Sequence, residues 1–329
     1  MAQASNSGPE LVVDEDYANQ SDSDYGDSLM TDTTSLKSSI IDYIYENGRR
    51  YHRYKEGSYM LPNDETEQDR LDMHHHIFGL LLGGKLHLAP IEKNPQNILD
   101  VGTGTGIWAI EMADLYTSTK VVGIDLSPIQ PKWVPPNCTF EVDDAEMPWT
   151  FPVDHFDLIH SRNLMQSIKS WPNYLEEMYK HTRPGGYIDV AELEAGIQSD
   201  DNSIPEGSSL AIIMRLYGEA LEIGGLPQHV GRAMKKMVEE AGFVDVQLHV
   251  KKQPLGGWPK NPGLKKVGQY LQICCETGFE AYSLALFTRV LGMKNEEVLK
   301  LIAGAIEDIR NRKIHSYINF FHVVAKKPE

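Results

Sequence analysis

The segment Asn97-Ile-Leu-Asp-Val-Gly-Thr-Gly-Thr-Gly-Ile-Trp108 decides how the rest of the chain is read. Ile98 to Val101 is a short apolar run of the kind found in a strand buried on both faces of a parallel sheet. Gly102, Gly104 and Gly106 follow at alternate positions. From Ile107 to Tyr116 apolar residues return at helical spacing: Ile107, Ile110, Met112 and Leu115. Strand, glycine turn and helix together offer backbone N–H groups and a helix N-terminus to a ligand. Glycine makes the tight turn possible and lets the backbone approach what is bound. The spacing is not the Gly-x-Gly-x-x-Gly of dinucleotide enzymes, and such a turn can also be purely architectural. Two acids argue for a ligand. Asp100 stands just before the turn, where a solvated carboxylate suits a cationic or hydroxyl-bearing group better than a pyrophosphate. Lys120 to Ile124 then reads as a second buried strand ending in Asp125, and an acid about 20 residues past the glycines is placed for ribose hydroxyls.

Further stretches carry a resemblance. Asp100-Val-Gly-Thr-Gly-Thr-Gly106, Asp125 and Asp143-Asp144-Ala145 resemble the cofactor motifs of class I S-adenosylmethionine-dependent methyltransferases. Tyr59-Met-Leu-Pro-Asn-Asp-Glu-Thr-Glu-Gln-Asp-Arg-Leu-Asp72, Asp125-Leu-Ser-Pro-Ile-Gln-Pro-Lys-Trp-Val-Pro-Pro-Asn137 and Phe156-Asp-Leu-Ile-His-Ser-Arg162 are similar to the fungal LaeA-like methyltransferases. The similarity runs from about Tyr51 to the end and is strongest from Tyr59 to Gly186. It implies S-adenosyl-L-methionine as cofactor and assigns roles residue by residue. Asp100 would accept from the methionine end, directly or through water. Gly102, Thr103, Gly104 and Gly106 would let the backbone approach the amino-acid and ribose portion. Asp125 would accept the ribose hydroxyls. Asp144, with Asp143 as its rival, and the N–H of Ala145 would meet the adenine edge. Ser161 and Arg162 would lie beside the transferable methyl.

Composition narrows the field. The 329 residues carry a formal net charge of −16, which argues against nucleic acid, since binding phosphates needs clustered Lys and Arg. An Asn-Pro-Pro-Tyr motif, the mark of exocyclic amino methylation of nucleic acid, is absent after the fourth strand. The three cysteines, two of them adjacent at Cys274-Cys275, make no disulfide framework and suggest a reducing compartment. With 41% hydrophobic residues the chain has ample core. It has neither a signal-peptide core nor an apolar run of the roughly 18 residues a membrane span needs. The expectation is a soluble, cytoplasmic protein with no membrane partner, or a nuclear one if it acts as a regulator.

Residues 1–38 are rich in Ser, Asp and Asn and read as a disordered acidic tail. Residues 39–92 read as a helical cap. Ile40, Ile41, Tyr43 and Ile44 begin one amphipathic pattern, and Glu67 to Leu88 forms another. Arg49, Arg50, Tyr51, His52, Arg53, Tyr54 and Tyr59 lie between them, either as a solvated loop or as contacts to the methionine carboxylate and an aromatic acceptor. His74, His75 and His76 cannot converge on one metal ion, because consecutive helical residues point about 100° apart.

From 93 onward strands alternate with helices: Asn97–Val101, Lys120–Ile124, about Thr139–Val142, Phe156–His160, Tyr187–Ala191 and Val244–Val250. Helices fall at about Trp171–Thr182 and Pro227–Ala241, and Arg183-Pro-Gly-Gly186 reads as a turn. This is the pattern of an α/β, Rossmann-like, doubly wound parallel sheet. The family resemblance makes it seven-stranded, with Tyr317–Ala325 antiparallel between strands five and six. Inserts at about 194–225 and 251–315 predict helices Ser209–Ile223, Leu264–Thr277, Phe279–Gly292 and Asn295–Arg312. They sit near the strands' carboxyl ends, where such sheets bind ligands.

The reaction the resemblance implies is an in-line methyl displacement, in which alignment carries much of the rate and a base only takes a proton. The sequence does not single out that base. His160 and Glu192 are weak candidates, with Glu194 and Asn163 at the same mouth. The expected function is methyl transfer to oxygen or nitrogen of a small-molecule acceptor, a specialised metabolite. The alternative is a LaeA-type nuclear regulator with protein partners. An NAD-dependent oxidoreductase fits poorly with Asp100 and with the glycine spacing.

Overall fold

The computed structural model describes residue 11 and residues 43–52, 60–228 and 230–329. The expected acidic tail, apart from Leu11, lies outside these residues, as do Ile40, Ile41, Arg53, Tyr54 and Tyr59.

An antiparallel hairpin comes first, β1 (Tyr43–Glu46) and β2 (Arg49–His52), where a helix was expected to begin at Ile40. Its turn is Asn47-Gly48, with φ of 53° and 80°. Two consecutive left-handed residues match the right-handed twist of the flanking strands, and Asn-Gly is the pair that adopts them most readily. The helical part of the cap is α1 (Glu65–Leu81). Asp64 caps it by accepting from the Glu67 N–H at 3.0 Å. The same carboxylate takes a forked pair from Arg49, 2.7 and 3.0 Å, which ties the hairpin to the helix start.

The sheet holds β3 (Asn97–Val101), β4 (Lys120–Asp125), β5 (Cys138–Val142), β6 (Phe156–Arg162), β7 (Thr182–Leu193), β8 (Val244–Leu255) and β9 (Ser316–Lys326) in the order β5-β4-β3-β6-β7-β9-β8. The first five run parallel, and β9 is antiparallel to both of its neighbours. Order reverses beside β3, so the crevice for a ligand opens at the carboxyl ends of β3 and its neighbours. Register sets the site's geometry. Asp100 is level with Gly123 on one side and His160 on the other. Arg183 to Gly186 loops out of the ladder, since Phe156 is opposite Thr182 and Leu158 opposite Tyr187.

Helices α2 (Ile107–Leu115), α3 (Trp171–His181) and α5 (Val230–Glu240) pack on the sheet. In the inserts lie α4 (Ser209–Ile223), α6 (Pro262–Arg289) and α7 (Asn295–Arg310). The expectation of two helices broken near Gly278 is corrected: α6 is one helix of 28 residues, about 42 Å long. A glycine within a helix costs about 1 kcal/mol. Burial of Leu271, Cys274, Phe279 and Leu286 along α6 outweighs that. Asp189, wholly buried on β7, accepts from the N–H groups of Leu88 and Ala89 at 2.8 and 3.0 Å and pairs with His322 at 2.5 Å, pinning the cap to the sheet.

Candidate active site

The glycine turn divides its labour. Gly102, Gly104 and Gly106 all have left-handed φ, 68°, 58° and 82°. A Cβ on Gly102 would sit 2.4 Å from Leu164 Cδ2, and one on Gly106 would sit 2.4 Å from Phe140 Cζ. On Gly104 the nearest atom would be Leu71 Cδ1, at 3.6 Å. Gly102 and Gly104 line a cavity of about 240 Å³; Gly106 does not, and its absent side chain makes room for Phe140 instead. The expected contact between Gly106 and a ligand is therefore corrected to a packing role.

Asp100 also lines the cavity, but it is buried rather than solvated. Thr103 Oγ1 donates to its Oδ2 at 2.6 Å, and its Oδ1 lies 2.7 Å from His160 Nδ1. Parallel in-register strands put these two side chains next to each other. The His160 ring stacks on Trp108 with centroids 3.7 Å apart, and burial holds its pKa down. His160 is thereby committed through Nδ1 and locked by the indole, which makes it a poor mobile base.

Asp125 is held by two backbone donors, Gly104 N–H at 2.8 Å and Ser127 N–H at 2.9 Å, and is in no ion pair among the described residues. Burial pushes its pKa up to about 6. A carboxylate with spare lone pairs and no cation beside it suits neutral hydroxyl donors. Next along the wall, Asp144 accepts from the Glu146 N–H at 3.0 Å, while Asp143 accepts from the Asp144 N–H at 2.8 Å. Asp143, Asp144 and Ala145 all reach the cavity.

Arg162 and Glu192 line the cavity as well. Arg162 lies over the Phe78 ring at 4.6 Å and donates from Nη2 to His75 Nδ1 at 3.0 Å. Ser161, its predecessor, points the other way into the core and is fully buried, so the expectation that it borders a ligand is corrected. Glu192 is 1% exposed and accepts from the Leu164 and Met165 N–H groups, 2.8 and 3.1 Å. Burial pushes its pKa up to about 8. Asn163 has φ 59°, and its Oδ1 is buried on the cavity wall without a hydrogen-bond partner among the described residues. Glu194 is engaged by Arg232, Gln198 and Asn319.

The same cavity includes an apolar chamber between α4 and α6, walled by Ile213, Met214, Tyr217, Leu271, Phe279 and Tyr282. Arg49 and Arg50, expected as a loop or as ligand contacts, instead bind Asp64, Glu65 and Glu280 and stay outside the cavity. The three consecutive histidines diverge: His74 stacks on Phe78, His75 lies between Glu111 and Arg162, and His76 meets the edge of Tyr270.

A methyltransferase-domain family model matches residues 73–248. The chain belongs to the methyltransferase family. Its sequence is 44% identical to the methyltransferase pytC of Aspergillus terreus, over 92% of this chain and 94% of that protein. It is 39% identical to the secondary metabolism regulator LAE1 of Cochliobolus heterostrophus, over 86% and 94%. It is 35% identical to the protein-methionine methyltransferase laeA of Emericella nidulans, over 92% and 81%. The protein is thus a LaeA-like methyltransferase, and its methyl donor is S-adenosyl-L-methionine. The residues present fit that molecule. The turn is open only at Gly104, and the wall offers carboxylates for hydroxyl, amine and ammonium groups.

One part of this site was not foreseen, and another was foreseen only in part. His75 and Glu111 reach Arg162 only because α1 crosses the start of α2, which no local pattern encodes. The chamber was signalled weakly, by apolar residues on the inserted helices.

Proposed function

We propose that this methyltransferase acts on the oxygen or nitrogen of a small-molecule acceptor, a specialised metabolite bound between α4 and α6. The observation that carries this reading is the continuity of one cavity, from the glycine turn and Asp125 to the chamber lined by Tyr217, Phe279 and Tyr282. The donor supplies an electrophilic methyl carbon on a positively charged sulfur, and the chain's own residues do the rest. Asp125 accepts from ribose hydroxyls, Asp144 and the Ala145 N–H meet the adenine edge, and Asp100, held by His160 and Thr103, faces the ammonium. The chamber excludes water and aligns the acceptor, which is where most of the rate lies. Glu192, rather than His160, takes the acceptor's proton. It borders both cradle and chamber, and burial brings its carboxyl near neutrality, the range in which a general base works best. Such an enzyme needs no nucleic acid, consistent with the charge of −16, and would work in the cytoplasm. Among the described residues no helix is long and apolar enough to cross a membrane.

Metabolite profiling of a deletion strain tests this reading. A precursor one methylene lighter than the normal product should accumulate, and the purified enzyme should convert it. Similarity to LAE1 and laeA favours a second reading, a nuclear regulator acting with protein partners. Stable partners in a pull-down, broad changes in transcripts and no lighter precursor would support that reading over the first.

A further inference from the structure

We infer that Arg162 receives the α-carboxylate of the methyl donor, its guanidinium aimed by a His75–Glu111 pair. The inference rests on the reading of the cavity as an S-adenosylmethionine site. Two cations border the cavity among the described residues, Arg70 and Arg162. Arg70 is neutralised by a forked pair with Glu67, 2.8 and 2.7 Å. Arg162 has no carboxylate within ion-pair distance among the described residues. Its contacts are an imidazole nitrogen and the face of a phenyl ring. A partly buried guanidinium with five N–H donors, only one of them matched to an imidazole nitrogen among the described residues, is a group prepared for an anion. Burial pulls its pKa down to about 10, against the opposing pull of Asp100, Asp189 and Glu111.

His75 shows how the group is held. Its Nδ1 accepts from Arg162, so Nε2 must carry the ring proton, and that N–H donates to Glu111 Oε2 at 3.1 Å. Burial and the neighbouring Arg162 push the His75 pKa down to about 4, so the ring is neutral at pH 7 and keeps this tautomer. The guanidinium is therefore fixed in direction without being discharged. A planar fork of this kind matches a carboxylate better than any neutral group does.

Position decides whose carboxylate it is. Helix α1 lies against the glycine turn, with Leu71 nearest to Gly104 and the Thr105 hydroxyl donating to Asp72 at 2.5 Å. His75 is one helical turn further on, and Glu111 belongs to the helix the glycine turn begins. Arg162 follows Ser161, which is level with Val101 next to Asp100. Arg162 is thus on the cradle side, away from the α4–α6 chamber. Asp100 and Arg162 present opposite charges side by side, the pattern a zwitterionic amino acid requires.

The test is calorimetry with S-adenosylhomocysteine and with its decarboxylated analogue, in which the amino-acid end is reduced to a 3-aminopropyl group. Wild-type protein should bind the first roughly 10- to 100-fold more tightly than the second, as expected for a hydrogen-bonded charged pair. Arg162→Met, which keeps an apolar stem over Phe78, should lose that factor for S-adenosylhomocysteine and less than about threefold for the analogue. Arg162→Lys should recover part of it. Equal wild-type affinity for the two ligands would overturn the inference whether or not the variants fold, as would Arg162→Met losing both ligands equally. Wild-type protein that binds neither ligand would remove the cofactor-site reading and this inference with it.

Discussion

Replacing each glycine of the turn by alanine should separate folding from binding. All three positions have φ between 58° and 82°, so each alanine carries about 1–2 kcal/mol of left-handed strain. Only the surroundings differ. At Gly104 the new methyl finds nothing closer than Leu71 Cδ1 at 3.6 Å, so no further stability is lost. At Gly106 it meets the Phe140 ring at 2.4 Å, and that ring is also pressed against Gly123, where a Cβ would sit 2.7 Å away. Overpacking there adds roughly 1–3 kcal/mol. Gly102 should fall between, because Leu164 Cδ2 is the free end of a side chain that can rotate. Binding should follow a different order. The Gly104 backbone is locked, its N–H on Asp125 at 2.8 Å and its carbonyl on Gln130 at 2.7 Å, so it cannot retreat from a ligand. A methyl projecting into the cavity must displace the nucleoside from at least one hydrogen bond, a loss of about 1 kcal/mol or more and so fivefold or greater in Kd. Thermal melts rank the stabilities and calorimetry with S-adenosylhomocysteine ranks the affinities. The reasoning is refuted if Gly104→Ala binds like wild type, or if Gly106→Ala is no less stable than Gly104→Ala.

Other outcomes follow from the same geometry. Asp125→Asn should weaken S-adenosylhomocysteine by roughly 1–3 kcal/mol. Because burial raises the Asp125 pKa to about 6, wild-type affinity should rise with pH through that value, and the Asn variant should give a flat profile. Glu192→Ala strands the buried N–H groups of Leu164 and Met165 and should cost roughly 2–5 kcal/mol in urea unfolding. Since the Glu192 pKa is raised from 4.5 to about 8, the folded protein keeps a proton that the unfolded chain has lost. Its contribution to stability should therefore decline as pH rises from about 4.5 to about 8. That slope should be missing in Glu192→Gln. Asp64→Ala removes the α1 cap and leaves the buried Arg49 with only Glu280 among the described residues, so stability should drop by about 2–4 kcal/mol, with the hairpin's amides losing protection first in hydrogen exchange.

Parts of the molecule were legible because they rest on local physics. The inner parallel strands β3, β4 and β6 are buried on both faces and so appear as apolar runs, and Asn97–Val101 and Ser209–Ile223 came out with the boundaries expected of them. The hairpin was passed over although its signal is local, since Asn47-Gly48 is a two-residue turn in plain sight. The break expected at Gly278 failed for the opposite reason. Propensity argued for an end, but contacts with α1, an element far away in sequence, and with the following α7 hold α6 together.

By itself the sequence determined the sheet, the glycine turn, and the two acids, Asp100 and Asp125, that stand where strands end. Those features depend on residues a few positions apart, whose side-chain period and backbone freedom are written into the chain. Only the tertiary structure decided what each group is free to do. It buried Asp100 against His160, turned Gly106 toward Phe140 instead of the cavity, withdrew Arg49 and Arg50 to the cap, and left Arg162 without a carboxylate at ion-pair distance among the described residues. The reason is that charge state and accessibility are set by neighbours brought from distant elements, and pairings such as His75 with Arg162 come into being only when α1 folds across the sheet.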